Sequence, residues 1–368
     1  MRLKHVAPIA LLASLGTGLA LLAQAPTPSV VRPLGEAQKK AFVDYVAAHH
    51  QTPEDLVVGL FKDHDIVFIG HHHQKQEVEL LYPLVQRLYD AGVYNLSFEF
   101  ALHANQDKID TLLTAEVYDE QLAHQMVYNR YEDGSREDTD LFKAAWQVNR
   151  QRPNGARPFR ITGINEVDGT DLAPKGTPLP ELNAIRNKYL NGHRRDIVNR
   201  TWADFISKDF IANKEKAAVF VGSAHSTTRF RLDRRPLTAH FTSVGNYIYN
   251  YIGERTTTVF LHAATPLQRS DLKGAAASAD NAAAVAQIEE LIGALPAKFR
   301  RVGLTVAKGT PFGDLPVPAP GFVDGRATGF TWADICNGYI FLVPAAEYKP
   351  LTPFKGKAPS EPAGRMAR

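Results

Sequence analysis

The chain has 368 residues, 44% of them hydrophobic and 22% charged, with one cysteine and a formal net charge of +3. That length allows one large or two ordinary domains, and the composition is that of a soluble globular protein. So small a charge, without a zinc-finger, RNA-recognition or glycine-rich phosphate-loop pattern, argues against nucleic-acid binding, and the lone Cys336 excludes an internal disulfide.

Residues 1–25 read as a signal peptide. Arg2, Lys4 and His5 give a basic start, residues 6–23 an apolar stretch, and Ala23-Gln24-Ala25 a small-residue cleavage pattern. The expectation is export, to the periplasm or outside the cell. Pro26 disfavours cleavage directly before it, which leaves cleavage after Ala20, or retention of the leader as an N-terminal membrane anchor, as alternatives. Beyond the leader no run reaches the roughly 18 apolar residues of a spanning helix. Residues 26–35 are a proline-bearing linker, residues 36–350 a single domain, and residues 351–368, rich in Pro, Lys and Gly, a disordered tail.

Within the domain, residues 37–49 have the pattern of an amphipathic helix that ends before Pro53. The run Asp65-Ile66-Val67-Phe68-Ile69 reads as a buried parallel strand, and residues 77–90 as a helix with Val78, Leu81, Val85 and Leu88 on one face and Gly92 as its stop. A strand over 93–98 follows, then helices near 106–113, 120–128 and 138–150. A short strand at 159–162 precedes a long polar helix over 181–211. Ala217-Ala218-Val219-Phe220-Val221 is a second buried strand, 244–252 a helix, 256–262 a strand, 281–292 an alanine-rich helix and 338–343 a last strand. Strands alternating with helices predict an α/β fold, a mostly parallel sheet flanked by helices on both faces, with its site at the strand C-termini.

Two copies of one pattern occupy such strand ends: Gly70-His71-His72-His73 and Gly222-Ser223-Ala224-His225. The strand over 93–98 delivers Glu99 to the same edge, between Phe98 and Phe100. A carboxylate flanked by apolar residues is costly to bury unless it is paired or holds a cation. His73, Glu99 and His225 are therefore the candidate catalytic and metal-binding residues, with His71 and His72 as cofactor-binding candidates. Glu77, four residues after His73, has the spacing to share a helix face with it and to assist. The plainer alternatives are an exposed histidine turn and a carboxylate that only caps the next helix. Arg229 and Arg231, with Arg234 and Arg235 near them, form either an anchor for an anionic substrate group or a solvated basic surface. Glu166, Asp168 and Arg194-Arg195-Asp196 are weaker candidates. No Gly-x-Ser-x-Gly elbow supports Ser223 as a hydrolase nucleophile.

Several of these segments resemble the superfamily that unites erythromycin esterases, Tiki metalloproteases and ChaN-like haem-binding proteins. The likeness rests on Ile69-Gly70-His71-His72-His73, on Phe98-Glu99 with Asn105-Gln106-Asp107, and on Val221-Gly222-Ser223-Ala224-His225. It extends to Gly163-Ile164-Asn165, Arg195-Asp196, Gly245-Asn246-Tyr247-Ile248 and the strand near Val259, so that it spans residues 65–262. The resemblance implies an α/β fold with His73, Glu99 and His225 as the functional positions. It also implies either a hydrolase of ester or amide bonds acting on a small molecule or peptide, or a carrier of haem or iron. In the first reading the His/Glu cluster activates water, with zinc or manganese as the divalent metal. In the second, His71–His73 with Tyr82 or Tyr128 ligate haem. Many members carry glutamate where this chain has His71, and that exchange favours nitrogen-preferring metals such as zinc.

Overall fold

The computed structural model describes residues 31–127, 134–165, 194–230, 242–263, 275–317 and 330–353, with four helical positions between 181 and 188. The leader, Tyr128, Glu166, Asp168, Arg231, Arg234, Arg235 and residues 354–368 lie outside the described residues, as do the side chains of Arg194, Arg195 and Asp196.

Among the described residues seven strands form one sheet, in the order β3 (Arg160–Asn165), β2 (Asn95–Leu102), β4 (Ala217–Gly222), β1 (Ile66–His71), β5 (Thr256–Leu261), β7 (Gly338–Phe341) and β6 (Val302–Thr305). The central strand β1 (Ile66–His71) runs parallel to β4 (Ala217–Gly222) on one side and β5 (Thr256–Leu261) on the other. β2 (Asn95–Leu102) is parallel to β4 and to β3 (Arg160–Asn165), and β7 (Gly338–Phe341) is parallel to β5. Only β6 (Val302–Thr305), at one edge, is antiparallel.

The unbroken apolar runs of β1 and β4 follow from burial on both faces. Val67 and Ile69 of β1, with Ala218 and Phe220 of β4, pack beneath α2 (Pro53–Leu60), α4 (Leu81–Asp90), α5 (Gln106–Thr114), α6 (Glu120–Val127) and α7 (Arg136–Gln151). Ile66 and Phe68, with Ala217, Val219 and Val221, face α8 (Arg194–Ile206) and α10 (Val244–Ile252) through Trp202, Ile206, Val244 and Ile248. A third cluster joins α1 (Glu36–His49) and α11 (Ala275–Gly293) to β5, β6 and β7 around Trp332 and Tyr339. The predicted architecture is therefore present, with helices on both faces.

Some boundaries differ from the sequence reading. The helix predicted over 77–90 is two, α3 (Lys75–Glu79) and α4, meeting at Leu80. Thr52 caps α2 by accepting from the Asp55 amide, with Pro53 in the first turn, so the proline starts a helix as well as ending one. The expected linker and tail both contribute to the body of the domain at their inner ends. Val31 and Leu34 are buried, and Gln287 donates to the Arg32 carbonyl. At the other end Thr352 donates through its amide and hydroxyl to Glu137, each at 2.8 Å. Among the described residues no helix is long and apolar enough to cross a membrane.

The parallel strands all end on one rim. β1 and β4 are in register so that His71 stands opposite Gly222, and β5 ends one residue before His262. That rim carries the candidate site.

Candidate active site

Gly222 marks the meeting point of the three side chains singled out in the sequence. Around the position where a Cβ at Gly222 would sit lie His225 Cδ2 at 3.4 Å, Glu99 Oε2 at 3.6 Å and His73 Nε2 at 4.0 Å. Each side chain comes from a different strand end: His73 from the turn after β1, Glu99 from β2, and His225 from α9 (Ser223–Ser226), the single helical turn that follows β4. Glu99 lies within β2, not beyond it, at a register shift against β3 between Phe98 and Leu102. Such irregularities re-aim side chains beside functional sites.

Hydrogen bonds fix the protonation pattern. The His73 amide donates to His71 Nδ1 at 3.2 Å, so that nitrogen is an acceptor and the ring hydrogen is on Nε2. Nε2 then donates to Glu99 Oε2 at 3.2 Å, and the Gly222 amide donates to the same oxygen at 2.5 Å. His71 is a fully buried neutral imidazole stacked on Phe220, with ring centroids 4.2 Å apart. Burial pushes its pKa down, against the pull of Glu99. Burial pushes the Glu99 carboxyl up, but the His71 hydrogen bond and the electrostatic pull of the His71, His225 and His73 rings outweigh that and bring it down to about 2. Glu99 is thus a permanent anion at neutral pH and a poor base.

The tautomer of His225 is set by Asn199. Asn199, fully buried on α8, donates through Nδ2 to the Thr242 carbonyl, which orients its Oδ1 toward His225 Nδ1 at 2.6 Å. Nδ1 therefore carries the ring hydrogen, and Nε2 is the acceptor nitrogen, bonded to Cδ2, the ring carbon 3.4 Å from the Gly222 Cβ position. Trp202 packs on the ring at 5.0 Å. Asn199 was not found by sequence reasoning, because a lone asparagine on a polar helix has no motif. His262 was also missed, although it too follows a buried strand. It accepts at Nδ1 from the Tyr339 hydroxyl at 2.8 Å and donates at Nε2 to Glu289 at 3.2 Å, joining β5, β7 and α11.

The two motif glycines serve different ends. A Cβ on Gly70 would lie 2.4 Å from Ser226 Oγ and 3.1 Å from Ser223 Cα, so Gly70 lets α9 sit down on β1. Gly222 instead keeps open the space between the histidines and Glu99.

Other candidates are held elsewhere. Glu77 pairs with His72, not His73: its carboxylate accepts from the His72 amide at 2.8 Å and from His72 Nδ1 at 3.1 Å. Arg229 is committed to the fold, donating to the Ala333 carbonyl, Asn337 and Glu254, so its guanidinium ties segments together where a substrate anchor was expected. The Tyr82 hydroxyl donates to the Glu137 carbonyl at 2.9 Å.

The donor set does not fit a metal ion as arranged. Both nitrogens of His71 are engaged, Glu99 Oε2 already accepts two hydrogen bonds, and the nearest His225 atom to the centre is a carbon. Among the described residues no group of three or more His, Cys, Asp or Glu side chains is placed to hold a metal ion. The zinc or manganese expectation finds no coordination geometry here.

No family model matches the chain, and no curated protein matches it in sequence. Among solved structures it is similar to a Bacillus cereus protein at 11% identity, over 88% of this chain and 100% of that one, with a TM-score of 0.49. It is similar to a mutant erythromycin esterase, EreC, in its open conformation at 8% identity, over 78% and 92% of the two chains, with a TM-score of 0.46. The type III effector HopBA1 is similar at 17% identity, over 60% and 89%, with a TM-score of 0.39. At such low identities the chemistry of the site rests on its own residues.

Proposed function

We propose that this chain is an exported hydrolase that cleaves an ester or amide bond of a small molecule or peptide by histidine acid–base catalysis. The observation that supports this most is the convergence of His225, Glu99 and His73 on the open space over Gly222, at 3.4, 3.6 and 4.0 Å. A water in that space gives its proton to His225 Nε2 as its oxygen attacks the carbonyl carbon. Asn199 holds the ring in the required tautomer, and the Glu99 anion stabilises the imidazolium that forms. The His225 imidazolium then gives that proton to the leaving alkoxide or amine as its bond to carbon breaks, which restores the neutral ring, while His73, 4.0 Å from the Gly222 Cβ position, positions the water by hydrogen bonding. No step is routed through a metal. Export rests on the basic and apolar leader of the sequence.

The test is a panel of chromogenic esters, lactones and fluorogenic peptides, assayed with the wild type and with His225→Ala. Turnover that His225→Ala abolishes supports the reading. A wild type that cleaves none of them, or one whose cleavage survives in His225→Ala, overturns it.

A further inference from the structure

We propose that Glu77 is the positioning residue of this site, the group that holds the turn at residues 72–74 so that His73 lies beside Glu99 over Gly222. His73 has a left-handed backbone, φ +62°, a conformation that a residue with a Cβ keeps only when its surroundings impose it. The three amides of the turn show what imposes it. Those of His72 and Gln74 donate to Glu77 Oε2 at 2.8 and 2.9 Å, and that of His73 donates to His71 Nδ1 at 3.2 Å. Glu77 Oε1 accepts from the His72 ring at 3.1 Å. One oxygen of a fully buried carboxylate thus grips both sides of the left-handed residue while the other holds the His72 ring, and only a group that accepts at both oxygens makes all three bonds.

The carboxylate is itself locked in place. Lys75 donates to the Lys349 carbonyl, Lys349 donates to the Gln76 side chain, and Gln76 donates to the Glu347 carbonyl. The segment at 347–349 therefore lies along the first turn of α3, the helix that carries Glu77. Glu77 does not touch the space over Gly222, so its effect reaches the chemistry through the turn. Its consequence for rate rests on the hydrolase reading, but its geometry does not.

The experiment compares wild type and Glu77→Ala by nitrogen-15 NMR of the histidine rings, with thermal melts and kinetics on the best substrate of the panel. In the wild type His71 should be the Nε2–H tautomer and His72 the Nδ1–H tautomer. In folded Glu77→Ala, which leaves the His72 and Gln74 amides no side-chain acceptor, both assignments should be lost, and kcat should fall about a hundredfold with KM unchanged, as for a catalytic group displaced by about an ångström. Should Glu77→Ala fail to fold, His72→Gln decides. It keeps both backbone bonds to Glu77, so the His71 tautomer should be retained, and its loss would overturn the proposal. Reversed tautomers in the wild type, or a folded Glu77→Ala with wild-type tautomers and kcat, would also overturn it. A protein that cleaves no substrate would remove the hydrolase reading while the tautomers still decide the role of Glu77.

Discussion

Replacing Gly222 by alanine should silence the site without harming the fold. The added methyl would lie 3.4 Å from His225 Cδ2, 3.6 Å from Glu99 Oε2 and 4.0 Å from His73 Nε2, ordinary contact distances that need no neighbour to move. The backbone there, φ −51° and ψ 141°, is open to any L residue, and the amide that donates to Glu99 is retained. Stability should therefore be unchanged or rise by up to about 1 kcal/mol, the usual gain when alanine replaces glycine at a compatible position. The methyl fills the volume in which a water must lie, about 2.8 Å from its hydrogen-bond partners. Loss of water activation by the histidines should lower kcat by about 10²- to 10⁴-fold. Gly70→Ala is the contrast, because its methyl would meet Ser226 Oγ at 2.4 Å. That overpacking should cost about 1–3 kcal/mol. Thermal melts beside initial rates measure both effects. A Gly222→Ala variant with wild-type melting and wild-type rate would show that the reaction does not occur over Gly222.

Other outcomes follow from the same geometry. Glu99→Gln should destabilise the protein by up to about 3 kcal/mol at neutral pH, the equivalent of lowering a carboxyl from 4.5 to about 2. Urea titrations should show that gap narrowing as the pH approaches 2, and the variant should lack activity. Asn199→Ala should leave a folded protein with kcat reduced about tenfold or more, because His225 loses the partner that sets its tautomer. Full activity in that variant would remove Asn199 from the site. Stability should also fall in two stages on acidification. Burial holds His71 and His262 below the ordinary 6.5, so the unfolded chain binds protons that the native rings refuse, and their contribution is complete above about pH 6.5 and declines below it. Glu99 and Glu77, held below the ordinary 4.5, add a second loss as the pH falls through 4.5. A melting temperature that stayed constant from pH 7 to 3 would contradict both. Finally, prolonged treatment with a chelator should leave the rate unchanged, and a loss restored by zinc or manganese would reinstate a metal.

Sequence alone shows why strand ends were legible and side-chain pairings were not. Apolar runs at 65–69 and 217–221 mark strands buried on both faces, and a glycine followed three residues later by histidine locates the rim. Glu99 stood out because a carboxylate between Phe98 and Phe100 requires a partner. What the partner is depends on register. His71 meets Glu99 and Gly222 only because β1, β4 and β2 lie side by side, an order that three separated segments do not reveal. The Glu77–His73 pairing expected from helical spacing failed because His73 lies ahead of the helix, in a left-handed turn before its Gln74 N-cap, and the carboxylate pairs with His72. Arg229 looked like an anion anchor because its carbonyl and carboxylate acceptors come from residues up to 108 positions away. Asn199 had no signal at all, since its role depends on α8 packing beside the turn after β4 that carries His225.

The claim that both histidine motifs act on one reacting centre is tested most directly by a double-mutant cycle. Rates of His73→Ala, His225→Ala and the double variant should be measured on one substrate of the panel, with melts to show that each is folded. Groups acting as a unit lose almost everything with the first removal, so the double variant should be scarcely slower than either single one. Losses that multiply would mean that His73 and His225 serve separate functions and that the space over Gly222 is not a shared active site.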